Sequence, residues 1–240
     1  MTPLVNEHNR QAWLAEIGGW RAESSARDIQ SWPDDGKVYV PHVVRAIWEA
    51  THGEAIVTTD VGQHQMWTAQ YYPIEQPYRL ITSGGAGTMG FGMPSAIGAW
   101  FAHPEREIWT VVGDGGFQMT QAELSTAAQE GANVKIAIMN NNFLGMVRQW
   151  QEFFFERRYS AVELHNPDFV KIAEAHGIPA LLVSEPGGVL PAIEFARQTP
   201  GPVLIEFRVE KEEAVYPMVP TGAALDAMIR RPLRQSQVVV

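Results

Sequence analysis

Short runs rich in Val and Ile return along this chain, separated by stretches of helical character. They are "EAIVTTD" (54–60), "YRLITS" (78–83), "EIWTVVGD" (107–114), "NVKIAIMNN" (133–141), "ALLVSE" (180–185) and "GPVLIEFRV" (201–209). Runs this apolar and this short, alternating with helices, predict a parallel sheet covered on both faces. The spacing predicts helices over about 41–52, 92–102, 120–131, 166–177 and 187–198, with a long loop between the first two strands. The expected fold class is therefore α/β, a doubly wound, mostly parallel sheet with helices on both faces.

Ahead of this pattern, Trp13, Leu14, Ile17 and Trp20 stand at helical spacings within residues 8–24, and "SWPDDGKVYVP" then gathers Pro, Asp and Gly into a linker. Residues 1–36 are read as a tail and 37–240 as the compact domain. The formal net charge of -9, without a block of Lys or Arg, argues against nucleic acid as a partner. With no cysteine there is no thiolate site, so a metal would take O or N ligands. The opening residues lack a basic stretch followed by an apolar one, and no run has the length of a membrane span, so the expected location is cytoplasmic, with no membrane partner.

Open sheets of this class bind ligands beyond the carboxyl ends of their strands. Asp60, Ser83 with Gly84, Asp114, and Asn140 with Asn141 fall at those ends. In "VVGDGGFQMT", Gly115 and Gly116 let the backbone approach a ligand, and Thr120 with Glu123 has the spacing of a capping box at a helix start. A helix start attracts anions, yet Asp114 would repel a phosphate unless a cation lay between them. That combination suggests a hard divalent ion such as Mg²⁺, which needs further oxygen ligands. The 24 residues from Gly116 to Met139 make one helix and one returning strand, which can carry Asp114 and Asn141 to adjacent strand ends. Asp-Gly as a simple turn and Asn-Asn as a simple loop are the plainer alternatives.

"GDGGFQMTQAELSTAAQEGANVKIAIMNN" resembles the metal motif of thiamine diphosphate enzymes. With "TTDVGQHQMW", "LITSGGAGTMGFGMPSAIGA", "NNNFLGMVRQWQEFFFERRYS" and "VYPMVPTGAALDAMI", the likeness narrows to the catalytic subunits of the acetohydroxyacid (acetolactate) synthase family, over about residues 8–230. It covers only the C-terminal, diphosphate-binding third of such a subunit, with residues 1–36 as the tail leaving a middle domain. The resemblance implies Mg²⁺ on Asp114, Asn141 and the Phe143 carbonyl, and cofactor contacts from Gln63, His64, Gly113, Gly115 and Gly116. It also implies that the Gly87 carbonyl receives the aminopyrimidine amino group, that Met89 bends the cofactor with Met119 nearby, and that Met146, Val147 and Trp150 shape the substrate pocket. Gly116 stands where Ser is usual and Ala86 where Leu is usual.

The implied reaction decarboxylates pyruvate and condenses the product with a second 2-keto acid. The catalytic glutamate is expected from the N-terminal pyrimidine-binding region of a partner chain or domain, and FAD from a middle domain. A homo-oligomer and a regulatory subunit are the other implied partners. Rival readings are another thiamine-dependent decarboxylase or carboligase (glyoxylate carboligase, pyruvate oxidase), a cofactor-binding partner chain inactive alone, and a nicotinamide enzyme. The last rests on Gly85, Gly87 and Gly90 in GxGxxG spacing, a weak signal by itself.

Overall fold

A computed structural model describes residues 10–32 and 34–233. Residues 8 and 9 of the expected first helix, and the outer ends of the tail and domain segments, lie outside the described residues. The described residues form two compact units, one drawn from 10–32 with 216–233 and the other from 34–215.

The smaller unit contains α1 (Gln11–Ala26). Arg27 Nη1 donates to the Arg231 carbonyl at 2.7 Å, and the Arg231 guanidinium lies 5.2 Å from the Trp32 and Tyr216 rings. Met218 and Ile229 pair across an antiparallel bridge.

The larger unit runs α2 (Val40–Thr51), β1 (Ile56–Thr59), α3 (Gln63–Tyr71), β2 (Leu80–Thr82), α4 (Gly92–Ala102), β3 (Ile108–Gly113), α5 (Asp114–Thr120), α6 (Glu123–Glu130), β4 (Val134–Asn140), α7 (Gly145–Phe154), α8 (Phe169–Ala175), β5 (Ala180–Val183), α9 (Val189–Gln198) and β6 (Val203–Arg208). All strand pairs among the described residues are parallel, in the order β2-β1-β3-β4-β6-β5. The doubly wound expectation holds. Successive side chains alternate across the sheet. Trp109, Val111, Ala137 and Ile205 join the core under α2, α3 and α9, while Ile108, Val112, Ile136 and Leu204 join the core under α4, α6 and α8. Because both faces are buried, neither could carry the alternating polar residues of a half-exposed strand.

Four local expectations change. The long loop after β1 contains α3, whose buried first turn is the polar pair Gln63 and His64 rather than an apolar stripe. A separate helix, α5, starts directly at Asp114 and ends at Thr120, and the helix expected from 120 begins at Glu123 as α6. The capping box does not form: Thr120 Oγ1 donates to the Gly90 carbonyl at 3.0 Å instead, and Glu123 accepts from Thr126. Pro167 and the Asp168 cap, which accepts from the Lys171 N–H, delay the helix expected from 166 until Phe169.

Candidate functional site

The chain places β2 on one side of β1 and β3 on the other, so the winding direction reverses between β1 and β3. At such a switch point the outgoing loops diverge and leave a crevice at the strand ends. A cavity of about 280 Å³ lies there. The segment after β1 lines it with Gln63 and His64, the Gly-rich turn with Gly87 and Met89, the end of β3 with Gly113–Gly116, and the loop after β4 with Asn141 and Phe143.

Asp114 is 2% exposed at the first position of α5. Burial pushes its carboxyl up to about 6, against hydrogen bonds from Asn166 and the backbone of Gly115 and Asn142 that pull it down. The Asn166 bond is short, Nδ2 to Asp114 Oδ2 at 2.6 Å, and the same nitrogen lies 2.9 Å from Asn140 Oδ1. Gln118 Nε2 donates to Asn166 Oδ1 at 2.9 Å, and Asn140 Nδ2 to Glu206 Oε1 at 2.8 Å. Asp114 and the Asn-Asn pair therefore meet at adjacent strand ends, continuing the Gly113–Met139 register of β3 and β4.

Asn141 Oδ1 accepts from the Phe143 N–H at 3.0 Å, while its Nδ2 faces Gln63 Oε1 at 3.4 Å. That orientation leaves Oδ1 a second lone pair for a further partner. Gln63 Nε2 donates to Gln149 Oε1 at 2.9 Å and to the Glu213 carbonyl at 3.1 Å. Its side chain thus ties α3 to α7, and the N–H groups at the start of α3 are what it can offer an anion.

His64 is buried, and desolvation lowers its imidazole to about 4 although Asp60 works in the opposite direction. Its Nε2 has no hydrogen-bond partner. The ring packs where a Cβ on Gly113 would stand, 2.9 Å away, so only glycine lets it lie against the end of β3.

Asp60, fully buried after β1, was singled out only by its position; the structure gives it a task. Its carboxylate accepts from the N–H groups of Val61 (2.7 Å), Gly90 (2.9 and 3.0 Å) and Gly92 (3.3 Å), pinning the turn that carries Gly87 and Met89. A Cβ at Gly116 would lie 2.5 Å from Asp60 Oδ1, which accounts for glycine at that position in this packing.

Of the residues singled out in the sequence, Gln63, His64, Gly87, Met89, Gly113, Asp114, Gly115, Gly116, Asn141, Phe143, Met146 and Val147 share the cavity wall. Met119 and Trp150 do not line it: Met119 is 59% exposed, and Trp150 packs on Phe154 with ring centroids 5.0 Å apart. Asn166 escaped the sequence reading, because its "HNPDF" context reads only as a turn before a helix.

The donors present fit a hard divalent cation. A buried carboxylate whose ionised form is disfavoured by desolvation would be relieved by one, and amide and carbonyl oxygens suit Mg²⁺ better than a thiophilic metal. Among the described residues no group of three or more His, Cys, Asp or Glu forms a ready-made metal cage. The remaining ligands would have to come from the anion itself and from water, as Mg²⁺ prefers. No helix among the described residues is long and apolar enough to cross a membrane.

Residues 60–207 match the family model described as thiamine pyrophosphate enzyme, C-terminal TPP binding domain. The chain is 42% identical over 232 residues to the acetolactate synthase catalytic subunit, mitochondrial, of Saccharomyces cerevisiae, covering 95% of this chain and 34% of that protein. It is 46% identical over 198 residues to the acetolactate synthase large subunit of Lactococcus lactis (82% of this chain, 34% of that protein). Against the large subunit from Haemophilus influenzae the figures are 40% over 228 residues, 94% and 39%. The chain spans between a third and two fifths of the length of these relatives.

Proposed function

This chain belongs to the thiamine pyrophosphate enzymes, as a C-terminal TPP-binding domain, and on that premise we propose that it is the cofactor-binding part of an acetolactate synthase. The reaction would decarboxylate pyruvate and join the remaining two-carbon unit to a second 2-keto acid. The observation that carries the reading is the buried Asp114 carboxylate held beside the Asn140–Asn141 loop in the switch-point cavity. Asp114, Asn141 Oδ1 and the Phe143 carbonyl would hold Mg²⁺ against the diphosphate. Free N–H groups at the start of α3 would receive phosphate oxygens.

Thiamine diphosphate, when bound, supplies the electron sink that a 2-keto acid needs in order to lose carbon dioxide. The protein's part is position and electrostatics. Asp60 holds the Gly90 and Gly92 N–H groups and so sets the turn from which Gly87 and Met89 would orient the cofactor. Met146 and Val147, on the first turn of α7, would border the acceptor, with Trp150 one turn on and Met119 nearby as outlying contributors. Residues 1–36 would be the tail of a preceding domain, and 37–240 the cofactor domain with its own tail.

The acid that cycles the aminopyrimidine is a glutamate expected from another chain or domain, and FAD, where present, would sit outside this one. A homo-oligomer and a regulatory subunit are further proposed partners. The test is acetolactate formation from pyruvate with thiamine diphosphate and Mg²⁺, using the purified chain alone and mixed with a chain carrying the remaining domains. Product is expected only from the mixture. Full turnover by the chain alone would overturn the shared site, and carbon dioxide release without acetolactate would overturn the synthase assignment.

A further inference from the structure

One amide group binds both strand ends that would carry the cation, and it comes from neither strand. Asn166 lies in the segment before α8, 52 residues from Asp114 and 26 from Asn140. Its Nδ2 reaches Asp114 Oδ2 at 2.6 Å and Asn140 Oδ1 at 2.9 Å. The amide cannot turn over without loss, because Oδ1 already accepts from Gln118 Nε2 at 2.9 Å. Gln118 is itself fixed one turn along α5, where the same Nε2 lies 3.3 Å from the Asp114 carbonyl. Asn140 is held at its far end by Glu206, and its Oδ1 also receives the Asn142 N–H at 3.1 Å, inside the loop that presents Asn141 and Phe143.

We propose that Asn166 is a positioning residue for the divalent cation: its side-chain nitrogen fixes the rotation of the Asp114 carboxylate and ties it to the Asn140–Phe143 loop, so that the ligands from β3 and β4 are held at one separation. The inference rests on the cofactor reading above. An acid whose plane is set by a charge-assisted hydrogen bond loses less freedom when it takes up a metal, and partners of this kind carry a measurable share of metal affinity. Asn166 itself does not line the cavity.

The test is a titration of the full chain with Mn²⁺ in saturating thiamine diphosphate, reading free Mn²⁺ by electron paramagnetic resonance. A thermal melt of each metal-free variant checks that it is folded. Asn166→Ala is expected to bind Mn²⁺ about 10- to 100-fold more weakly than the wild type. Gln118→Ala, which removes the bond orienting the Asn166 amide together with the longer contact to the Asp114 carbonyl, is expected to weaken binding in the same direction by less, and it stands in if Asn166→Ala does not fold. A folded Asn166→Ala, or failing that a folded Gln118→Ala, with wild-type Mn²⁺ affinity overturns the proposal; a lowered melting temperature with unchanged affinity would mark a purely structural role. If the wild type itself takes up no Mn²⁺ with the cofactor, the cofactor reading falls, and this inference falls with it.

Discussion

A histidine in the wall of a cavity, buried and with one ring nitrogen unpartnered, responds to pH through its folded state. His64 is held neutral by desolvation down to about 4, against an ordinary value of 6.5. The unfolded chain takes up a proton below 6.5 that the folded chain refuses until about 4. The contribution is therefore fully present above 6.5 and is lost as pH falls through that window, at up to about 1.4 kcal/mol per pH unit. Asp114 works in the reverse sense, because burial raises its carboxyl, and it partly masks the effect in the wild type. Comparison with His64→Gln removes the mask, since Asp114 is common to both. Between pH 7 and pH 5 the wild type is expected to lose about 2 kcal/mol relative to the variant in urea unfolding. Equal losses in the two proteins would mean that the imidazole protonates in place.

Helix α7 buries the polar side chains Arg148 and Gln149 rather than an apolar stripe, and a pair of its glutamines makes the consequence testable. Gln149 accepts from the Val215 N–H at 2.8 Å and donates to the Val215 carbonyl at 3.1 Å, wholly buried. Gln151 makes the same two-bond clasp with Ser160, both bonds at 3.0 Å, but exposed. Removing the buried clasp orphans two backbone groups and frees Gln63, so Gln149→Ala is expected to cost about 2–4 kcal/mol. Gln151→Ala exposes its partners only to water and should cost under about 1 kcal/mol. Denaturant unfolding of both variants decides, and similar costs would show that burial is not what makes the first clasp matter. The same contrast explains what could be read in advance. The strands declare themselves because the central strands of a sheet buried on both faces demand runs that are mostly apolar, with few polar interruptions such as Lys135 and Glu206. Asp114 and Asn141 were legible because one crossover fixes their spacing. Helix α3 was not, since three of its four buried residues, Gln63, His64 and Thr68 beside Trp67, are polar and leave no apolar period. Asn166 was not, because its bond to Asp114 depends on where a distant loop lands. Asp60 stood out by position, but its hold on Gly90 and Gly92 appears only when the turn folds over it.

Taken whole, the molecule has a formal net charge of -9 and offers its cofactor an acid, which together disfavour a free diphosphate. Burial already makes the ionised form of Asp114 costly, so an anion arriving without a cation would meet that charge at close range in a site of low polarity. On the proposed reading, metal and diphosphate should therefore bind as a unit, each supplying what the other lacks: the ion would neutralise Asp114, and phosphate oxygens would supply the ligands the protein does not. A ligand that binds only the folded state stabilises it by mass action, about 2.7 kcal/mol at a hundredfold excess over the dissociation constant. For a domain of this size that corresponds to a rise in melting temperature of about 5–10 °C. The rise is expected with Mg²⁺ and thiamine diphosphate together, in excess, and not with either alone; a chelator added to the mixture should reverse it. An equal rise from thiamine diphosphate in the presence of the chelator would show that helix starts and backbone N–H groups suffice, and that Asp114 does not act through a cation.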